Sequence, residues 1–241
     1  MSIAVEHLTK LFGQQKAIDS ISFRAEPGKV MGFLGPNGAG KSTTMRILTS
    51  FIPQTSGRAT VCGFDVAREA LEVRRVVGYL PEHNPLYPEL YVKESLGFVA
   101  NIHGLQNKRQ RISDVIGLTG LGDEQHKKIG QLSKGYRQRV GLAQAIIHDP
   151  KVLILDEPTS GLDPNQLSGI RKLIRDLGAS RTVVFSTHIM QEAEAVCDHI
   201  VIINKGNIVA DDALSSLRGV HPGRTLEEIF ISLTGSNAIA H

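Results

Sequence analysis

The sequence Gly35-Pro36-Asn37-Gly38-Ala39-Gly40-Lys41-Ser42 separates a short apolar run, Val30–Leu34, from a segment with helical spacing, Thr43–Ser50. It matches the pattern G-x-x-x-x-G-K-[ST], in which a glycine-rich loop joins a buried strand to a helix. Glycine has no Cβ, so successive backbone N–H groups can turn inward around an anion. The helix that follows directs its N-terminal N–H groups and its positive dipole end at the same anion. The octapeptide therefore predicts an α/β fold with a phosphate-binding loop.

Two side chains at the end of this loop predict what the phosphate belongs to. Lys41 can reach the β- and γ-phosphates of a nucleotide, and the Ser42 hydroxyl can ligate Mg²⁺. The alternative, a glycine-rich turn without a ligand, is disfavoured by the strand before the loop and the helix after it. We expect a bound nucleotide to contact the residues Gly35, Pro36, Asn37, Gly38, Ala39, Gly40, Lys41, Ser42 and Thr43.

A second apolar run, Lys151–Leu155, ends in the two carboxylates Asp156 and Glu157. Asp156 would lie at the carboxyl end of a strand beside the phosphate loop, where it can hold Mg²⁺ through water. Glu157 is placed to orient or deprotonate a water that attacks the γ-phosphate. The alternative is an acidic turn helped by Pro158, and the phosphate loop upstream favours the catalytic interpretation.

The composition excludes several classes of protein. The length of 241 residues suits one large domain, and 41% apolar with 21% charged residues is typical of a globular chain. A formal net charge of +3 is too small to indicate a nucleic-acid binder by itself. The two cysteines, Cys62 and Cys197, are far apart, so we expect a reducing cytosol and neither a disulfide framework nor a cysteine zinc site. The longest apolar runs have the length of strands, so any membrane crossing would need another chain.

Strand and helix patterns alternate along most of the chain. The middle differs, because Tyr91–His148 has mainly helical spacing, with Val92, Leu96, Val99 and Ile102 on one face. A turn at Asn204-Lys205-Gly206-Asn207 predicts a hairpin, and Leu226–Leu233 predicts a last amphipathic helix. The predicted strands are Ile3–Leu8, Ala17–Phe23, Val30–Leu34, Val77–Leu80, Lys151–Leu155, Thr182–Phe185, His199–Asn204 and Ile208–Ala210.

Three further motifs narrow the class of nucleotide-binding protein. They are Leu132-Ser133-Lys134-Gly135-Tyr136-Arg137-Gln138, Ser160-Gly161-Leu162-Asp163 and Ser186-Thr187-His188. In this order the set resembles the ATP-binding subunit of ATP-binding cassette (ABC) transporters, over essentially the whole chain. The residues in and around these motifs are most similar to those of exporter-type subunits, and within these to the gliding-motility-associated group. The resemblance implies a single domain over residues 1–241. Its fold would be a P-loop core with a parallel sheet, an N-terminal antiparallel β subdomain and a helical subdomain inserted at about 84–149.

The resemblance also implies a head-to-tail dimer, in which the signature of one subunit closes over the nucleotide of the other. Ser133 and Gly135 would then contact the partner's γ-phosphate through a hydroxyl and a close backbone N–H. The motif count supports this, because the chain has one phosphate loop and one signature. A simple helix cap is the alternative for Ser133. Whether the dimer is homomeric or heteromeric stays open.

Four more positions take their roles from the resemblance. His188 would contact the γ-phosphate and, with Glu157, hold the attacking water, whereas we expect His83, His126 and His241 on the surface. Phe12 would stack on adenine, with a core aromatic as the alternative. Glu82 stands where the family usually has glutamine, and it would ligate Mg²⁺ and sense the γ-phosphate. Lys134 replaces a common glycine, and a solvent-facing side chain is favoured over one that points to the triphosphate.

The implied function is energy coupling. Two subunits would bind MgATP, close, hydrolyse it and reopen, driving a separate transmembrane permease from the cytoplasmic face of the membrane, with Glu89–Phe98 as the docking surface. The alternatives are a soluble ABC ATPase that acts on ribosomes or DNA, and a P-loop kinase. The former usually has two cassettes or a long coiled-coil insertion, and the signature argues against the latter, so no nucleic-acid partner is expected. The basic clusters, Lys108-Arg109 with Arg111 and Lys127-Lys128, indicate solvated faces, or else contact with a membrane partner or headgroups.

Overall fold

Two β-sheets and a run of helices make up the protein, for which a computed structural model describes residues 1–235. In chain order the elements are β1 (Ile3–Phe12), β2 (Gln15–Ala25), β3 (Val30–Leu34), α1 (Lys41–Leu48), β4 (Ser56–Val61), β5 (Phe64–Asp65), α2 (Ala70–Val76), β6 (Val77–Leu80), α3 (Val92–Ile102), α4 (Lys108–Thr119), a short 3₁₀ helix (Ile129–Gln131), α5 (Lys134–Ile146), β7 (Val152–Asp156), α6 (Pro164–Gly178), β8 (Thr182–Thr187), α7 (Met190–Val196), β9 (His199–Asn204), β10 (Asn207–Ala213), α8 (Leu214–Val220) and α9 (Leu226–Thr234).

The larger sheet has six strands in the order β10-β9-β3-β8-β7-β6. Strands β9, β3, β8, β7 and β6 run parallel, and β10 pairs antiparallel with β9. This confirms the predicted α/β core with a parallel sheet and the hairpin after His199–Asn204. Because β3 lies between β9 and β8, the phosphate loop that follows β3 lies over the middle of the sheet's carboxyl edge.

The smaller sheet is antiparallel, with the order β2-β1-β4-β5, which confirms the predicted antiparallel β subdomain. Strand β1 continues past the predicted end at Leu8 to Phe12. Its pairing with β2 shifts register on both sides of Leu8, and these shifts break the period-two pattern. The part of the strand after Leu8 was therefore not predicted from the sequence. Strand β4 was not predicted, because Ser56–Val61 has three exposed residues at its start and no clear alternation.

The core lies on both faces of the larger sheet. Val30 and Leu34 belong to one buried cluster, with residues of the helices α3 to α9. Met31 and Phe33 point the other way, into a cluster shared with β1 and α1. Phe33 also packs against Phe23 of β2, with ring centroids 5.2 Å apart. Alternate side chains of β3 therefore pack into both buried clusters, which holds the strand before the phosphate loop in place from both faces of the sheet.

The predicted helical insert is confirmed, since the chain between β6 and β7 contains α3, α4, the 3₁₀ helix and α5. The face proposed for α3 is wrong at Ile102, which is 67% exposed at the helix end. Val92, Leu96 and Ala100 are buried instead, because residues four apart share a face. The subdomain bounds 84–149 and the single domain over residues 1–241 stay predictions.

Other surface predictions have mixed outcomes. His83 and His126 are exposed as predicted, and His241 lies outside the described residues. Arg111 does not belong to a solvated basic face, because its guanidinium donates to the carbonyls of Ile146 and Ile147 at 2.6 and 2.8 Å. It caps the carboxyl end of α5. Among residues 1–235, no helix combines the length and the apolar character needed to span a bilayer.

Candidate nucleotide-binding and hydrolysis site

A cleft of about 780 Å³ opens at the carboxyl edge of the larger sheet, beside the smaller sheet. The phosphate loop forms its floor, and residues from the ends of β1, β7 and β8 form its walls. The cleft thus brings together residues up to about 190 positions apart, because the parallel strands of the larger sheet end at this edge and the smaller sheet lies beside it. Its lining is Phe12, Gln15, Lys16, Ala17, Asn37, Gly38, Ala39, Gly40, Lys41, Ser42, Thr43, Glu82, Glu157, Ser160, His188 and Lys205.

The conformation of the phosphate loop requires glycine. Gly40 has a φ of 113°, and a Cβ there would lie 2.7 Å from the carbonyl oxygen of Ala17. The loop is also supported from behind, because the N–H of Gly206, in the β9–β10 turn, donates to the Ala39 carbonyl at 2.9 Å. These contacts hold backbone N–H groups around a concave surface that suits a phosphate.

Lys41 is buried at the bottom of the cleft and lies between the loop and Glu157. Its Nζ donates to the Gly35 carbonyl at 2.7 Å and lies 3.5 Å from Oε1 of Glu157. Both side chains are more than nine-tenths buried. A phosphate held by Lys41 would therefore have the Glu157 carboxylate next to it, which is the position that a base for water attack requires.

Ser42 and Asp156 meet as the sequence predicts. The Ser42 hydroxyl donates to Oδ1 of Asp156 at 3.2 Å, and the buried Ser186 hydroxyl donates to the same oxygen at 2.6 Å. Among residues 1–235 no group of three or more His, Cys, Asp or Glu side chains could hold a metal alone. A hydroxyl and a carboxylate beside a phosphate loop nevertheless fit Mg²⁺, which uses one or two carboxylates together with substrate phosphates and waters. Glu82 is exposed and lines the same cleft.

Glu157 and His188 form a pair at the cleft wall. His188 Nδ1 lies 3.0 Å from both carboxylate oxygens of Glu157, so with its proton on Nδ1 it donates to both. The backbone of Glu157 has a φ of 50°, uncommon for a residue with a side chain. Its N–H is held by Ser186, at 3.0 Å from the hydroxyl and 3.2 Å from the carbonyl. The strained turn therefore directs the carboxylate into the cleft.

Phe12 lies at the outer end of the cleft. Its side chain is 52% exposed, which rules out the alternative of a core aromatic. The ammonium group of Lys10 lies 5.0 Å from the ring centroid. A half-exposed aromatic ring that lines the same cleft as the phosphate loop suits stacking on a base.

Comparison with known proteins decides the family. The family model "ABC transporter" matches residues 18–160, more than half of the chain and including the phosphate loop and Glu157. The chain belongs to the ABC transporter family. It is therefore an ATP-binding cassette and an ATP hydrolase.

Individual relatives align with most of the length of this ABC subunit. It is 38% identical over 218 residues to the bacitracin transport ATP-binding protein BcrA of Bacillus licheniformis, covering 90% of this chain and 71% of the relative. It is 37% identical over 221 residues to the ABC transporter ATP-binding protein NatA of Bacillus subtilis, covering 90% of each. Among solved structures, an ATP-binding subunit of an ABC transporter superposes with a TM-score of 0.88 at 28% identity, covering 97% of this chain and 99% of that one.

The signature of the ABC subunit lies outside the cleft lining. Ser133 is exposed and is the N-cap of α5, where its hydroxyl accepts the N–H of Tyr136 at 3.4 Å. Ser133 therefore caps α5, which is compatible with a second role, and its contact with a partner's nucleotide stays a prediction. Gly135 is buried under Gln166 of α6. The exposed Lys134 places its ammonium over Gly161, so it neither enters the cleft nor points only to solvent.

Several residues of the cleft had no site role predicted from the sequence, namely Gln15, Lys16, Ala17, Ser160 and Lys205. Lys16 lies at the start of β2 and Lys205 in the β9–β10 turn, and only the tertiary structure brings these two segments to the phosphate loop. Ser160 directly follows the Glu157 segment, and its position in the chain was a signal that could have identified it.

Burial has a clear effect on one ionisable group beside the site. Tyr79, on β6, lies near Asp156 and Glu82, and burial together with these carboxylates raises the pKa of its hydroxyl to about 12. The phenol therefore stays neutral over the physiological range. It serves as a hydrogen-bonding group and not as an acid or base for hydrolysis.

Lys41→Ala should weaken ATP binding by roughly 10- to 100-fold, because a charged hydrogen bond is worth about 1.5–3 kcal/mol. Titration with a fluorescent ATP analogue measures the effect. Lys172→Ala, at an exposed lysine of α6, is the matched control and should leave the affinity unchanged. Equal affinities for Lys41→Ala and the control would contradict the role of Lys41.

Proposed function

We propose that two copies of this subunit, or one copy and a similar cassette, bind MgATP between them head to tail and use its hydrolysis to drive a separate transmembrane permease. One observation supports the head-to-tail arrangement above all. The cleft holds Lys41, Glu157 and His188, whereas the exposed Ser133 lies outside its lining. A second subunit would supply the signature that this cleft lacks.

The residues predicted from the sequence have distinct proposed parts in hydrolysis. Lys41 and the loop N–H groups bind and orient the phosphates, and Phe12 stacks on the base. Ser42 and Asp156, with Glu82 from the cleft wall, would hold Mg²⁺, which supplies charge neutralisation of the phosphates when bound.

The remaining two residues, Glu157 and His188, act on the proton of the attacking water. Glu157 accepts a proton from a water as the water attacks the γ-phosphate, and His188 orients the Glu157 carboxylate through its Nδ1–H. Terminal phosphate and ADP are the products, and the proton leaves the site as the cleft reopens.

A surface patch of aromatic side chains near Glu82 supports the proposed coupling to a permease. Tyr87, Tyr91 and Phe98 are 62%, 43% and 51% exposed. The rings of Tyr87 and Phe98 pack edge to face with centroids 6.5 Å apart. Such a patch suits an apolar protein partner, and it extends the proposed docking surface Glu89–Phe98 by Tyr87. A change at Glu82 could reach this patch along five residues of chain.

Direction and location belong to the same proposal. The printed name of BcrA refers to bacitracin transport, which supports a transport role, and we propose the exporter-type direction from the resemblance of the motifs. The grouping with gliding-motility proteins stays a prediction that the relatives do not support. The subunit would work at the inner face of the cell membrane, held there by its permease and without a nucleic-acid partner.

Copurification from solubilised membranes tests the partner. We expect the tagged subunit to retain an integral membrane protein, and the double variant Tyr87→Ser and Phe98→Ser to lose it while keeping its ATP affinity. Val220→Ser, at a 71% exposed position on α8, is the control and should retain the partner. Copurification with ribosomes or DNA instead of a membrane protein would support the soluble alternative.

A further inference from the structure

We propose that Glu192 is a positioning residue for ATP hydrolysis, because its buried carboxylate joins the segment after Glu157 to the segment before His188. The inference rests on the proposed roles of these two residues and extends them. Glu192 lies in the first turn of α7, and none of its surface is exposed. It does not line the cleft, so it acts through other residues.

Two threonine hydroxyls donate to the same oxygen of this carboxylate. Thr187 is the last residue of β8, and its Oγ1 lies 3.0 Å from Oε2 of Glu192. Thr159 lies in the turn after β7, and its Oγ1 also donates to Oε2 of Glu192. Both threonines are almost fully buried, at 2% exposure or less. We call this set Thr159–Glu192–Thr187 the carboxylate bridge.

The two threonines of the carboxylate bridge are close in sequence to Glu157 and His188. Thr159 is two residues after Glu157 and directly before Ser160, which lines the cleft. Thr187 directly precedes His188, and its hydroxyl also accepts the N–H of Ile189 at 3.0 Å. The bridge therefore spans the two segments whose relative position sets the contact between His188 Nδ1 and the Glu157 carboxylate.

The second carboxylate oxygen has a different environment. Oε1 of Glu192 has no hydrogen-bond partner, and its nearest cation is Nη2 of Arg171 on α6, at 3.9 Å. Arg171 Nε is likewise buried without a hydrogen-bond partner. A buried carboxylate with one unpartnered oxygen is costly, so stability alone is a poor explanation of this arrangement.

Catalysis supplies the better explanation. A displacement of about 1 Å at a reacting group can cost about 100-fold in rate, whereas it changes the binding of a triphosphate by many other groups much less. The carboxylate bridge joins the segments beyond the ends of the paired strands β7 and β8, in addition to the contacts of Ser186 with Asp156 and with the Glu157 N–H. Loss of the bridge should therefore leave the protein folded and able to bind ATP, with a lower turnover.

The test compares steady-state ATPase kinetics of the full chain with three variants, Thr159→Val, Glu192→Met and the double variant. Valine removes a hydroxyl at constant shape, and methionine removes both acceptor oxygens at similar length. We expect each single variant to lower kcat about tenfold with KM for MgATP within about twofold. The double variant should also lose about tenfold, and not about 100-fold, because both changes break the same link.

Two controls separate positioning from general destabilisation. Thr119→Val removes another fully buried threonine hydroxyl, which donates to the Val115 carbonyl in α4 at 2.7 Å, and it should leave kcat unchanged. Thr159→Ser keeps the hydroxyl and should restore kcat to within about twofold of the unmodified chain. Thermal unfolding of all variants shows which of them are folded, and Thr159→Val keeps the test valid if Glu192→Met fails to fold.

The outcomes distinguish this inference from the function on which it rests. Normal kcat in Thr159→Val, or losses that multiply in the double variant, would overturn the bridge while leaving the role of Glu157 intact. A parallel measurement on Glu157→Gln decides the other question. If that variant hydrolyses ATP normally, both the base and its positioning residue are wrong.

Discussion

Glu157→Gln is expected to lower ATP turnover by about 1,000-fold while ATP still binds, because general-base catalysis contributes about 10²- to 10⁴-fold. The amide keeps the shape of the side chain and can still accept the Nδ1–H of His188, but it cannot take a proton from water. It also removes the negative charge 3.5 Å from the Lys41 ammonium, so Lys41 is free to bind phosphate. ATP affinity should therefore be equal or higher.

A persistent dimer is the second expected property of this variant. If closure needs ATP and reopening needs hydrolysis, a subunit that binds but does not hydrolyse should stay closed. Size-exclusion chromatography in MgATP should show a dimer for Glu157→Gln and a monomer in the absence of nucleotide. Glu194→Gln changes a carboxylate of α7 that pairs with Arg218 outside the cleft, and it should behave like the unmodified chain. A Glu157→Gln chain that stays monomeric in MgATP would contradict this role.

Short motifs of the site could be predicted from the sequence, whereas contacts between distant segments could not. The phosphate loop, Asp156-Glu157 and His188 were found because each motif is a short stretch whose residues act together. The structure then places them at one edge of a sheet, as the strand before each motif implies. Helix α6 was missed although Asp163 caps it and Pro164 opens it, a signal that was available.

Other parts of the site had no signal in the chain. Lys16 enters the cleft from the start of β2 and Lys205 from the β9–β10 turn, and the positions of both depend on the packing of the two sheets. Glu192 looked like an ordinary polar residue of a short helix, and only its zero exposure and its two threonine donors set it apart. Predictions of this kind fail because they depend on which strand ends become neighbours, and local sequence does not determine that.

Ser133→Arg is expected to reduce ATPase activity by at least about 100-fold, while ATP binding to the isolated subunit changes by less than about twofold. Loss of a donor that stabilises developing charge typically costs 10²- to 10³-fold, and the arginine would also obstruct the approach of the second subunit. Binding should persist because Lys41 and the loop N–H groups are untouched, and because Ser133 does not line the cleft.

The control for this variant is the same substitution elsewhere. Ser180 is an exposed serine just after α6 and before β8, at the amino edge of the sheet, opposite the cleft. Ser180→Arg should therefore have normal ATPase activity. In the unmodified chain, activity per subunit should rise with protein concentration and level off once dimers form. Activity per subunit that does not vary with concentration would contradict assembly of the site from two chains.

Mixing two inactive variants shows where Ser133 acts. In a head-to-tail dimer of Ser133→Arg with Lys41→Ala, one site carries both lesions and the other carries neither, so activity returns if one intact site suffices. No rescue would mean that both sites are needed, and the single variant then decides. If Ser133→Arg weakened ATP binding to the monomer as much as Lys41→Ala does, the signature would contact the nucleotide of its own chain. Because Ser133 caps α5 outside the cleft of its own chain, we expect monomer affinity to be kept and activity to be lost.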